Sequence, residues 1–133
     1  MTDGATKPDL GALYRGYLDC LNARDWDRLG RFVADDVVHN DRSLGLSGYR
    51  AMLEGDVAAI PDLRFHAALL VVEPPRLAVR LAFDCTPAGE LFGLAVDGRR
   101  VQFSENVFYE WKHGRIAQVW SVIDRAEIAA QLG

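Results

Sequence analysis

The sequence predicts an α+β fold in which three N-terminal helices pack on one face of a curved, mostly antiparallel β-sheet. Three observations carry that expectation. Apolar residues recur at helical spacing up to Ile60, they alternate at strand spacing from Leu63 to Asp124, and turn-forming residues separate nearly all the strand segments. A sheet curled around helices also tends to leave a cavity between the two layers.

The elements follow in order. Leu10, Leu13, Tyr14, Tyr17, Leu18 and Leu21 make one apolar stripe of a first helix, with Thr6 and Asp9 as its capping box and Pro8 in its first turn. Asp25 caps a second, short helix whose buried stripe is Trp26, Leu29, Phe32 and Val33. Residues 36–41 read as a short strand. Ser47 caps a third helix that runs to residue 60, where Pro61 stops it. Strands are then predicted over 63–73, 76–86, 91–96, 99–111 and 115–124. Pro74-Pro75 interrupts the ladder because neither residue donates a backbone hydrogen bond, and Asp97-Gly98 and His113-Gly114 supply the positive φ angles of hairpin turns. Residues 125–132 close the chain as a last helical turn or two.

With 133 residues, half of them hydrophobic and 26% charged, the chain is too apolar to stay disordered and long enough to bury a core as one domain over 1–133. Its formal charge of −4 is spread without a basic block, which argues against a nucleic-acid partner. Cys20 and Cys85 are too few for a disulfide scaffold or a zinc site built on paired thiolates, so both read as buried free thiols. Residues 1–7 are short and polar, and no stretch approaches the ~20 apolar residues that span a bilayer. The expected location is cytoplasmic, with no membrane partner.

Several segments share one pattern: Gly89-Glu90-Leu91-Phe92-Gly93, Gly98-Arg99-Arg100-Val101, His113-Gly114-Arg115-Ile116, then Trp120, Asp124 and Gln131-Leu132-Gly133. In their order and spacing residues 77–133 resemble the SnoaL-like polyketide cyclases and ester cyclases, within the nuclear-transport-factor-2-like superfamily. Val38-His39-Asn40 and Pro61-Asp62-Leu63 extend the resemblance more loosely through the N-terminal half. It implies a cone-shaped α+β barrel whose pocket holds a small apolar or polyketide-like carbonyl substrate, with no metal and no organic cofactor. It also implies ring closure by intramolecular aldol condensation. One departure is clear: where many relatives carry a Thr-His pair before the Gly-Glu element, this chain has Pro87 at the histidine position.

Asp124 ends an apolar strand and matches the family's catalytic carboxylate; in an apolar pocket, lost hydration would raise its pKa toward the range useful for proton abstraction. The same residue is equally suited to capping the final helix, and the two roles are compatible. His39 could donate to a developing enolate or relay a proton, or it could be a core histidine bonded to a backbone carbonyl; Asn40 beside it could contact a carbonyl oxygen. Whether Glu105 joins them depends on register. A two-residue turn at His113-Gly114 sets Glu105 opposite Val122 and on the face of Asp124, whereas a three-residue turn with a bulge puts Ser104 and Asn106 beside Asp124 instead. Trp120, four residues from Asp124, shares its face, and the resemblance points both inward, with Trp120 as pocket wall. Tyr14, Tyr17 and Phe32 are expected to line the other side from the helices.

Three functions are compatible with these residues. A cyclase would use Asp124 as base and His39 as its partner. An epoxide hydrolase of the limonene type would bury Arg80 between Asp84 and Asp124 in an Asp-Arg-Asp array. A non-catalytic ligand-binding or dimerisation module would fill the cone with side chains. The strands carry apolar residues on both faces, as in Leu69-Leu70-Val71-Val72, which predicts a homodimer or higher oligomer through the sheet.

Overall fold

The computed structural model describes residues 9–132. Helix α1, Leu10–Asn22, begins at Asp9, whose carboxylate accepts the Ala12 N–H at 3.1 Å. Asp9 is therefore the cap rather than its partner in a capping box; Thr6 and Pro8 lie outside the described residues. Tyr14, Tyr17, Leu18 and Leu21 are buried at the predicted spacing. The second helix is a short 3-10 segment, Trp26–Arg31, and Val33, expected on its stripe, instead opens strand β1, Val33–His39. That strand stops two residues earlier than predicted because Asn40 and Asp41 both take positive φ, 48° and 65°, and turn the chain.

Helix α2, Gly45–Ala59, starts before Ser47, with Leu44 at its N-cap position and no side-chain cap; it ends ahead of Pro61 as expected. The predicted strand start at residue 63 is also corrected, to Ala67. The Asn22 amide explains the delay: it accepts the Phe65 N–H at 2.7 Å and donates to the Phe65 carbonyl at 3.0 Å, satisfying backbone groups that a neighbouring strand would otherwise take. Strands β2, Ala67–Glu73, and β3, Arg76–Cys85, form a hairpin across Pro74-Pro75. The strand predicted over 91–96 is a small hairpin instead, β4 Glu90–Leu91 with β5 Leu94–Ala95, folded by positive φ at Phe92 and Gly93. Strands β6, Val101–Lys112, and β7, Arg115–Ile123, and helix α3, Arg125–Leu132, complete the chain.

The main sheet has the order β1-β7-β6-β3-β2, antiparallel except for the parallel β1–β7 pair. It stays open, with β1 and β2 as edges, so the implied cone is not a closed barrel. The fully buried Tyr17, Leu21, Leu77, Val107 and Ile116 belong to one core between α1, α2 and the sheet's inner face. Burying each such side chain contributes about 1.5–3 kcal/mol. Both cysteines are buried free thiols. Among the described residues no helix is long and apolar enough to cross a membrane. Beyond the end of β7, α3 covers the exposed edge of β6: Glu127 accepts the Ser104 N–H at 3.0 Å, and Gln131 accepts that of Gln102 at 2.8 Å.

The β6–β7 hairpin decides what faces inward. His113 and Gly114 form a two-residue turn with φ 54° and 80°, and Lys112 pairs with Arg115. Trp111 pairs with Ile116, but Glu110 pairs with Gln118, so one extra residue bulges on β7. Past this bulge every partner shifts by one, and Glu105 faces Ile123 instead of Val122. Because side chains alternate, the shift puts Val119, Ser121 and Ile123 on the face of Glu105 and sends Trp120, Val122 and Asp124 to the other.

Candidate functional site

A cavity of about 370 Å³ lies between the helices and the inner face of the sheet. Its wall is mostly apolar, with Leu53 and Met52 from α2, Leu81 and Phe83 from β3, and Val107 and Val119 from β6 and β7. Set into that wall are Glu105, Asp56, His39, Ser121 and the tyrosines 17, 49 and 109.

Glu105 occupies the centre of β6's inner face. Removal from water pushes its carboxyl above the usual glutamate value of 4.5; the hydroxyl of Ser121, which donates to Glu105 Oε2, opposes that shift, and the nearby Asp56 adds to it. Ser121 is fixed in turn by Asn40. The Ser121 N–H donates to Asn40 Oδ1 at 2.8 Å, and Asn40 Nδ2 donates to the Ser121 carbonyl at 3.2 Å, which prolongs the β1–β7 ladder past the end of β1. The Asn40 amide thus orients the serine rather than standing open to a carbonyl ligand.

Asp56 lies about two helical turns beyond Tyr49, on the same face of α2, and burial pushes its carboxyl from 3.8 up to about 6. A raised carboxyl contributes its full stability when protonated, below pH 4, and loses it as pH rises through about 6. Replacing Asp56 with Asn is therefore expected to raise the melting temperature at pH 8, with the gain shrinking toward zero at pH 4. Thermal melts of both proteins across that range check it; a pH-independent gap contradicts it.

The tyrosine hydroxyls pair with one another: Tyr17 with Tyr49 at 2.7 Å and Tyr14 with Tyr109 at 3.2 Å. Burial raises all four phenols well above their ordinary value, so they stay protonated and remain donors. The His39 and Tyr49 rings are inclined at 61° with centroids 6.0 Å apart, and burial with the nearby Arg42 lowers the imidazole pKa. Near neutral pH the imidazole is uncharged and able to accept or relay a proton.

The structure brings His39, Asn40, Glu105 and Tyr17 together at the cavity and leaves out the others. Asp124 is on the outer side, where its carboxylate accepts the Glu127 N–H at 3.1 Å and caps α3; the expectation that it faces the pocket is corrected by the β7 bulge. Trp120 shares its face as predicted, but that face is outward, beside the exposed Phe108. Asn106 is outward too, accepting a hydrogen bond from Arg80 at 3.0 Å. Phe32 packs against the Tyr17 ring, centroids 6.5 Å apart, outside the cavity lining. The epoxide-hydrolase array does not assemble, since Arg80 is partly exposed and bonds Asn106 and Glu127 while Asp84 pairs with Arg100 at 2.6 Å. Nor is the cone filled by side chains, as the third reading required.

Sequence reasoning missed Ser121, Tyr49, Asp56 and Arg125. A signal for two of them was present: Tyr49, Leu53 and Asp56 fall on one face of α2, so the carboxylate breaks an apolar stripe.

The family model described as SnoaL-like polyketide cyclase matches residues 11–132. Comparison with curated proteins gives no match. The fold is similar to the crystal structure of a SnoaL-like polyketide cyclase from Agrobacterium tumefaciens, with TM-score 0.94 and 54% identity over 96% of this chain and all of that one. It is also similar to AclR from Streptomyces galilaeus, with TM-score 0.75 and 25% identity over 92% and 94% of the two chains. TsrD from Streptomyces laurentii, 24% identical with TM-score 0.81 over 100% and 98%, shares the fold.

Proposed function

The chain belongs to the SnoaL-like polyketide cyclase family, and from that premise we propose that it is a cofactor-independent cyclase working by acid/base chemistry on an apolar carbonyl compound held in the cavity. One observation supports this reading above the rest. Glu105, with its raised pKa, stands in an apolar wall, oriented by Ser121.

In this mechanism the Glu105 carboxylate removes a proton from the carbon next to a substrate carbonyl, and the electron pair moves onto the carbonyl oxygen as an enolate. Tyr17 and Tyr49 carry two hydroxyl protons and use one in their mutual hydrogen bond, so the other hydroxyl can donate a hydrogen bond to that oxygen while staying protonated. The enolate carbon then attacks a second carbonyl of the same chain. A carbon–carbon bond forms, and the new alkoxide recovers the proton from the Glu105 carboxyl. The cavity wall holds the chain folded, which supplies much of the rate by proximity. His39, neutral and close to Tyr49, can donate a hydrogen bond to the developing negative charge.

A test that needs no knowledge of the natural substrate is enolisation of β-tetralone, a small apolar ketone. Incubated in D2O with the protein, its α-protons are expected to exchange faster than in buffer alone, as read by proton NMR. Exchange no faster than buffer, with tetralone shown to be bound, contradicts the reading.

The proposal includes association through the outer sheet face with a second copy of the chain. Leu69 and Val122 lie on one cross-strand row and Val71 and Phe108 on the next, and they are 60%, 69%, 56% and 58% exposed. Sedimentation is expected to give a dimer at micromolar concentration and a monomer for Val122→Glu; a monomeric wild type sinks the proposal.

A further inference from the structure

We propose that Arg125 at the cavity rim anchors a carboxylate, so that the ligand is an apolar molecule bearing one acid group, with its body inside the cavity and its charge at the mouth. The inference rests on the cavity being a ligand site, as proposed above, and deepens it by naming the ligand class.

Among the described residues Arg125 is the sole lysine or arginine in the cavity lining. It is exposed at its place as the first residue of α3, yet it is not free to wander. Its Nε donates to the Phe92 carbonyl at 2.9 Å, and Phe92, itself partly exposed, lines the same rim. The β4–β5 turn lies close against the guanidinium: a Cβ built on Gly93, which has φ +83°, would come within 3.4 Å of Arg125 Nη2. One edge of the guanidinium is therefore held by backbone, leaving the Nη groups as donors with the fork geometry that matches a carboxylate.

Among the described residues no carboxylate lies within ion-pair distance of Arg125, although six other arginines have such a partner. The two acids of the cavity, Asp56 and Glu105, are not paired with it either. A positioned cation at the rim of an apolar hollow complements an amphipathic anion. Its charge selects a carboxylate over a phosphate monoester: one guanidinium balances one negative charge, whereas a phosphate carries about −1.5 to −2.

The test uses three naphthalene probes followed by their fluorescence: 2-naphthylacetate, 2-naphthyl phosphate and the neutral 2-acetonaphthone. Wild type is expected to bind the carboxylate more tightly than either other probe, with an affinity that falls as salt rises. Arg125→Gln should weaken the carboxylate by about tenfold and leave the ketone within about twofold, and Arg125→Lys should restore part of the loss. If Arg125→Gln weakens acid and ketone alike, the residue acts only on the rim hairpin, and the anchor is overturned. It is also overturned if wild type shows no preference for the acid, or prefers the phosphate. In those cases a bound ketone leaves the cavity reading standing; if neither acid nor ketone binds, both inferences fall.

Discussion

Glu105→Gln is expected to slow α-proton exchange of β-tetralone by about 10²–10⁴, the usual contribution of a positioned general base, while the protein stays folded. The substitution keeps the side chain's shape and its ability to accept from Ser121, and it removes only the basic oxygen. It also relieves the cost of charging a carboxyl in an apolar wall, so the variant should melt no lower than wild type near neutral pH. Asp124→Asn is the matched control. Asn is as good a helix cap as Asp, and the side chain is outside the cavity, so exchange should be unchanged. If the Asp124 variant loses the activity and the Glu105 variant keeps it, the assignment of the base is reversed.

Ile116→Ala should be the most damaging single truncation for stability, by about 2–5 kcal/mol out of a total on the order of 5–15. Ile116 is 0% exposed, and it pairs with Trp111 at the last regular position before the β7 bulge and lies beside Val33 of β1. Its backbone N–H also donates to the Phe32 carbonyl at 2.7 Å, tying the sheet to the end of the 3-10 segment. Truncation leaves a void where the strands and α1 layer cannot readily close, because the neighbouring core is packed. Urea unfolding measures the loss; a change under 1 kcal/mol would mean the site relaxes around the missing atoms.

Element types were readable in the sequence because they follow from period and punctuation. The stripe of α1, the stop at Pro61 and the turn at His113-Gly114 all appear where those residues place them. The misses share a cause. Nothing local announces that the Asn22 amide occupies the backbone of Phe65, so β2 begins at Ala67, later than the strand pattern from residue 63 implies. Likewise a single bulged residue on β7 carries no composition signal, yet it reverses the face of every residue after it. That one residue exchanged the parts of Asp124 and Glu105, and it moved Trp120 to the outside. Of the two register alternatives, the two-residue turn carries no irregularity and the three-residue turn carries a bulge at Gly114; the turn has two residues, and the bulge falls between Ile116 and Gln118 on β7, opposite Glu110 and Trp111. Asn40 was recognised as a site residue, but its work is to hold Ser121, a contact 81 positions away that only the parallel β1–β7 pairing creates.

The most direct measurement is a carboxyl-carbon NMR titration of Glu105, assigned by the signal that Glu105→Gln removes. A midpoint above 4.5, the ordinary value for a glutamate in water, is expected. A midpoint at or below 4.5 would place the group in a well-hydrated setting and contradict its role as a base held out of water.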